Sequence, residues 1–244
     1  MRTIRLLIEY EGTDYLGWQR QPQGMTVQQA LEEAVERITG AMPAVIGAGR
    51  TDSGVHAFGQ VAHFKTASDL PPERLMAGMN AVLPEDIVVK ALSEAPEGFH
   101  ARFSARGKRY EYTIWNDRVR PVLERRFCWH VQKALDVDAM RDATQHLTGT
   151  HDFTAFQSAG AESKTTVRTV SLAEWATDSP RLIFAIEADA FLYNMVRAIV
   201  GTLVEIGSGK RAPEEMRAII QSGDRGMAGP TAPPHGLCLM RVDY

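Results

Sequence analysis

Two cysteines in 244 residues are too few for the disulfide framework of a small secreted protein. Cys128 and Cys238 lie far apart and outside any C-x-x-C pair. A bond between them stays open from sequence, but two buried thiols in a reducing compartment is the plainer reading. No stretch approaches the ~18 consecutive apolar residues of a membrane span. Met1 to Arg5 runs straight into an alternating pattern, without the apolar block and cleavage site of a signal peptide. The expectation is a cytoplasmic protein. Metal ligation is poorly supported as well. Neither His56 with His63 nor His146 with His151 forms a recognised ligand set with nearby Cys or carboxylates.

Cofactor motifs are also missing. Gly47-Ala48-Gly49 is followed by Asp52 where a dinucleotide fingerprint needs glycine. Gly207-Ser208-Gly209-Lys210 follows a helix instead of opening one, so its amides would not face a phosphate. No G-x-S-x-G elbow occurs.

What is present is a mixture of strand and helix patterns. Ile4, Leu6, Ile8 and Tyr10 alternate as in a strand. Thr26 and Gln29 form a capping box before Val27, Ala30, Leu31, Ala34, Val35 and Ile38 at helical spacing, and Gly40 stops the helix. A second helix is expected from near Pro72 to before Pro84, then a strand from Ile87 to Leu92. Further on, Tyr110, Tyr112 and Ile114 alternate. Asp136 caps a helix running through Leu147. Leu182, Phe184 and Ile186 alternate, and a helix with Val196, Ile199, Val200, Leu203 and Val204 facing inward stops at Gly207. Pro213-Glu214-Glu215 opens a last helix, and Leu237 to Val242 reads as a final strand. Antiparallel-style alternation mixed with helices gives an α+β fold. A division near residue 105, where a basic stretch begins, gives halves 1–105 and 106–244.

The net charge of −3 conceals an uneven distribution. From Arg102 to Arg126, eight cations face three acids, a local excess of +5. Phe99, His100, Phe103, Tyr110 and Tyr112 interleave with them. A charge run is ordinarily a solvated face. Joined to aromatic rings it has what RNA binding needs, cations for phosphates and flat faces for unstacked bases.

The most unusual segment is Gly47-Ala48-Gly49-Arg50-Thr51-Asp52-Ser53-Gly54-Val55-His56-Ala57, where several glycines surround one Arg, one Asp and one His. Such a polar, conformationally special loop between apolar elements suits a functional site. It also suits a tight turn in which Asp52 accepts backbone hydrogen bonds. Asp52-Ser53-Gly54 matches the D-[ST]-G triplet of aspartic proteases. It occurs once, however, and Arg50 beside it would keep the Asp ionised where those enzymes need a shared proton.

Residues 49–57 closely resemble the signature loop of the TruA family of tRNA pseudouridine synthases. Phe99-His100-Ala101-Arg102-Phe103-Ser104-Ala105 with Lys108-Arg109-Tyr110-Glu111-Tyr112 is similar to the second motif of that family. Phe191-Leu192-Tyr193-Asn194-Met195-Val196-Arg197 is similar to the third, and Thr231-Ala232-Pro233-Pro234-His235-Gly236-Leu237 to the C-terminal one. The motifs fall in family order and span essentially the whole chain. Ser53 stands where Ala is usual, and Tyr193-Asn194 replaces a common His-His pair.

The resemblance implies isomerisation of uridine to pseudouridine in the anticodon arm of tRNA, usually at positions 38 to 40, without a cofactor. It implies Asp52 as the essential carboxylate and Arg197 as the cation paired with it. Tyr110 would stack on the target base and help proton transfer, and Arg50 would help displace the target nucleotide. Leu237 would line the pocket, while Arg102, Lys108 and Arg126 of the basic stretch are expected on tRNA backbone. It further implies two similar halves whose sheets join into one, a cleft between them holding the active site, and a homodimer. A binding module without catalysis is the competing class; loss of Asp52 or Arg197 would have pointed to it, and both are present.

Overall fold

Strands and helices alternate along the chain in a computed structural model that describes residues 1–160 and 164–244. In chain order they are β1 (Arg2–Tyr10), α1 (Val27–Thr39), β2 (Ile46–Gly47), β3 (His56–Thr66), α2 (Pro72–Val82), β4 (Ile87–Glu94), β5 (Gly107–Asn116) and β6 (Trp129–Val131). There follow α3 (Val137–Thr144), β7 (Gly149–Asp152), β8 (Val167–Asp178), β9 (Arg181–Ala188), α4 (Met195–Gly207), α5 (Glu215–Ser222) and β10 (Leu237–Asp243). The class is α+β, with mostly antiparallel strands and helices packed on them.

The chain forms two compact units, residues 1–106 with 238–244, and residues 107–237. In the first, the strand order is β4-β1-β3-β10, with the short β2 also on β3. β1 is antiparallel to both β3 and β4. β10 joins β3 in parallel, Cys238 opposite His56 and Leu239 opposite Ala57. The last strand thus belongs with the N-terminal segment because its pairing partner lies there. Ile4, Leu6 and Ile8 are fully buried along one face of β1, as period-two alternation requires.

α1 buries Val27, Ala30, Leu31, Ala34 and Val35, and Gly40 closes it with φ 76°. Its N-terminus corrects the capping-box reading. Thr26 Oγ1 does accept from the Gln29 N–H at 3.3 Å, but the Gln29 amide donates onward to Glu33 at 2.9 Å. Glu32 is buried among three donors: Arg20, Gln28 and the Val45 N–H.

In the second unit the order is β5-β9-β8-β7, all antiparallel, with β6 parallel to β5. Asp136 caps α3 through the Ala139 N–H at 3.0 Å, and the turn through Leu147 tightens to 3₁₀. α4 is buried on nearly all sides. α4 ends at Gly207 as expected, but Gly207 is not the left-handed cap. Gly207 remains helical, and a Cβ there would meet Met140 Sδ at 2.5 Å, so it serves close packing. The left-handed closing residue is Gly209, φ +74°, whose N–H bonds the Ile206 carbonyl.

Candidate active site

In the first unit, the loop between β2 and β3 is held from below and from one side. Below it, Tyr10 shares a 2.7 Å hydrogen bond with Thr51 Oγ1, and Gln60 donates to the Gly49 carbonyl at 3.0 Å. Gln60 also lies 3.5 Å from the Tyr10 hydroxyl. All three side chains are buried. Burial drives the Tyr10 phenol far above its ordinary pKa, so it stays a neutral hydroxyl at any working pH.

From the side, residues 12–18 fasten the loop at successive points. The Trp18 N–H donates to the Thr51 carbonyl at 3.0 Å and Ser53 Oγ donates to the Tyr15 carbonyl at 3.0 Å. The Gly12 N–H donates to His56 Nδ1 at 3.0 Å. This approach needs glycine. A Cβ at Gly12 would stand 2.0 Å from the Val55 carbonyl oxygen, and one at Gly17, where φ is +84°, 2.6 Å from that of Thr51.

At the tip, the Val55 N–H bonds the Asp52 carbonyl at 3.1 Å, closing a turn with Gly54 at φ +78°. Positive φ at the third residue is what a type II turn demands. The turn is closed through the Asp52 main-chain carbonyl. Asp52 is partly exposed and Arg50 exposed. The result is a polar tip on a rigid base.

In the second unit, Tyr110 is buried on β5 opposite Ile186, with the ring of Phe191 set edge-on at 5.0 Å. Arg197 lies in the first turn of α4. Its Nη1 donates to Asn194 Oδ1 and its Nε to the Ala232 carbonyl, each at 2.8 Å. The Ala232 N–H returns a bond to the Arg197 carbonyl at 3.0 Å. Asn194 occupies the left-handed region, φ 60°, which Asn tolerates better than most residues. Its amide also donates to Ser158 Oγ at 3.0 Å. Asn194 thus aims a cation at a helix start, where the dipole disfavours one. The strip 228–233 lies hard against α4, since a Cβ on Gly201 would fall 1.7 Å from the Pro230 carbonyl oxygen. Tyr112 donates to the Pro233 carbonyl at 2.8 Å, and Leu237 is buried just beyond.

The basic stretch divides between the units. Arg102 is exposed in the first; Lys108, half-buried, and Arg126, exposed, belong to the second. Arg109 is committed to Glu111 and Glu187 at 3.0 Å each. Glu124 is occupied by Arg181, whose fork holds its carboxyl below the usual range. Burial pushes the Cys128 thiol up to about 11, so it stays protonated. Among the described residues no group of three or more His, Cys, Asp or Glu could hold a metal ion, and no helix is long and apolar enough to cross a membrane.

Sequence reasoning missed the residues that fasten the signature loop: Tyr10, Gly12, Tyr15, Gly17, Trp18 and Gln60. The glycines of the segment after β1 were visible, but only as loop punctuation.

Comparison with known proteins gives a consistent result. A family model described as tRNA pseudouridine synthase matches residues 6–104 and 143–244. The chain is 49% identical over 244 residues to tRNA pseudouridine synthase A 2 of Clostridium perfringens, covering all of both chains. It is 48% identical to tRNA pseudouridine synthase A of Syntrophotalea carbinolica, covering all of this chain and 97% of that one. It is 47% identical to that of Acetivibrio thermocellus over the full length of both.

Proposed function

Because the chain belongs to the tRNA pseudouridine synthase family and is an isomerase that converts uridine to pseudouridine in tRNA, we propose that its targets lie in the anticodon arm, at positions 38 to 40, and that the Asp52 carboxylate carries the reaction. In the reaction the C1′–N1 bond breaks, the base turns and C1′ rejoins at C5. The proton on C5 is lost and N1 gains one. No electron leaves and no water is consumed. An ionised carboxylate serves by attacking C1′ or C6, or by taking the 2′ proton.

The observation that carries this reading is the fastened loop. Thr51, Ser53 and His56 are each tied to residues 10–17 or to the Trp18 amide, so Asp52 is offered to substrate from a base that does not need to be ordered on binding. Arg50, exposed two residues away, is suited to displacing a stem uridine from its stack. Tyr110 contributes a face for the target base and a phenol near C5. Arg197 contributes a cation already oriented by Asn194 and the Ala232 carbonyl. Leu237 lines the pocket. The working form is a cytoplasmic homodimer that holds one tRNA across both subunits.

Asp52→Asn tests the assignment. Asn is nearly isosteric and leaves the backbone turn intact. Tritium release from C5-labelled uridine should vanish in single turnover, with tRNA affinity within a few-fold of wild type. Substantial release by the folded variant, free of host enzyme, would end the assignment. Light scattering that finds a fully active monomer at micromolar concentration would remove the dimer. Mapping pseudouridines in tRNA from a strain lacking the protein identifies the target positions.

A further inference from the structure

The connection between β4 and β5, residues 95–106, has little regular structure but is pinned at many points. The Ala101 N–H donates to His63 Nδ1 on β3 at 3.1 Å, and its carbonyl accepts from Tyr244 Oη at 2.8 Å. The Arg106 N–H bonds the Asp243 carbonyl at 2.8 Å. His100 and Ser104 are bonded twice, through the His100 N–H to Ser104 Oγ at 3.1 Å and the Ser104 N–H to the His100 carbonyl at 2.9 Å. The N–H groups of Arg102 and Phe103 both point at His100 Nδ1, at 3.2 and 3.3 Å, which fixes the plane of the imidazole.

On that ring lies Phe103. The centroids are 4.3 Å apart and the planes 29° from parallel, a stacked pair. Phe103 is nevertheless 77% exposed. The Arg102 guanidinium carbon lies 5.8 Å from its centroid, and Arg106, also exposed, is three residues on. A phenyl ring so exposed adds little to folding by burial. The fold spends a set of hydrogen bonds on holding it still. A rigid aromatic face beside cations is the arrangement that takes an unstacked nucleic-acid base, the ring supplying a π surface and the guanidinium a phosphate or cation–π contact. A protein hot spot would instead sit in a well-packed surround that excludes water. The chain neighbours of this ring are Arg102 and Ser104, with Arg106 three positions on.

We propose that Phe103, backed by His100 with Arg102 beside it, is a stacking platform for an unpaired tRNA base other than the target uridine. The inference rests on the tRNA-modifying function and adds a binding site to it.

Two variants test it with an unmodified tRNA transcript as the probe. Phe103→Leu keeps an apolar side chain and removes the π face. Its circular dichroism and melting should match wild type, since the ring is exposed. Its Kd for the transcript should rise roughly 5- to 100-fold, the range that loss of one base–aromatic stack gives. Phe103→Trp should bind within about 3-fold of wild type, and its additional emission should be quenched at saturating transcript. Wild-type affinity in Phe103→Leu overturns the platform, and so does weakened binding there with unquenched emission in Phe103→Trp. Unchanged affinity with an altered mass by light scattering assigns the face to a protein contact and overturns it too. A wild-type protein that neither binds nor modifies the transcript defeats the tRNA function itself. A wild type that does both, matched by Phe103→Leu, defeats only the platform.

Discussion

Tyr10→Phe removes one oxygen atom from beneath the signature loop and nothing from its surface. The lost group makes the 2.7 Å bond to Thr51 and lies 3.5 Å from Gln60 Nε2. Gln60 keeps its bond to the Gly49 carbonyl, but Thr51 is left buried without this partner. Stranding a buried polar group costs about 1–3 kcal/mol. In a chain of this size that lowers Tm by roughly 2–10 °C. Thr51 is flanked by Arg50 and Asp52, so the loop should loosen where the carboxylate is presented. Misplacement by about 1 Å can cost about 100-fold in rate, and a single-turnover tritium-release rate reduced by roughly 10-fold is expected on that scale. Affinity for tRNA should change less than about 3-fold if the effect is on alignment alone. Thr51→Val strands the other partner and should behave alike. The double variant replaces both hydroxyls with apolar groups and should be no less stable than the worse single, because the two positions are coupled. Stability losses that add to within about 0.5 kcal/mol would show no coupling. Wild-type turnover in all three variants would show that the loop does not depend on this network.

Other expectations follow from single features. Gly201→Ala places a Cβ 1.7 Å from the Pro230 carbonyl oxygen, so it should cost about 3 kcal/mol or more, and a melting curve like wild type would contradict the packing described. Replacing Arg102, Lys108 and Arg126 together by Ala should flatten the log–log salt dependence of tRNA affinity by about 2–3 units if all three touch phosphates; an unchanged slope would move the RNA surface elsewhere. The folded-state pKa of His63 is lowered by burial and by repulsion from His100. Below about pH 6.5 the unfolded chain therefore takes a proton that the folded chain refuses, and stability falls with pH from there. His63→Gln should flatten that acid limb in chemical denaturation, and an unaltered limb would assign it to other groups.

Much of the fold could be read wherever one face of an element is buried and the other wet. β1 alternates and was legible; so were the inward stripes of α1 and α4. β3 was not, because almost every one of its residues is buried and no period survives. β8 was missed for two other reasons. A register shift between Val170 and Leu172 breaks its alternation, and Arg168 occupies a buried position. The end of α4 was placed correctly at Gly207, but for the wrong reason. Gly207 and Gly209 look alike in sequence, yet one admits a neighbour's sulfur and the other turns the chain. For the site, the signature loop was legible as a cluster of unusual residues. Its supports were not, since Tyr10, Gly12 and Trp18 reach it from more than thirty positions upstream and no local pattern announces that contact.

The placement of β10 has a consequence for biosynthesis. The strand that flanks β3 leaves the ribosome only after all of residues 107–237. Until then β3 carries the Asp52 loop at one end and an unpaired edge along His56 and Ala57, a site for wrong pairing in the nascent chain. The same final segment brings Asp243 and Tyr244, which pin the connection bearing Phe103. A ribosome stalled before residues 238–244 would therefore release a product whose Asp52 loop has been made but whose Phe103 segment is untethered. A chain without residues 238–244 lacks these pins and cannot complete the first unit.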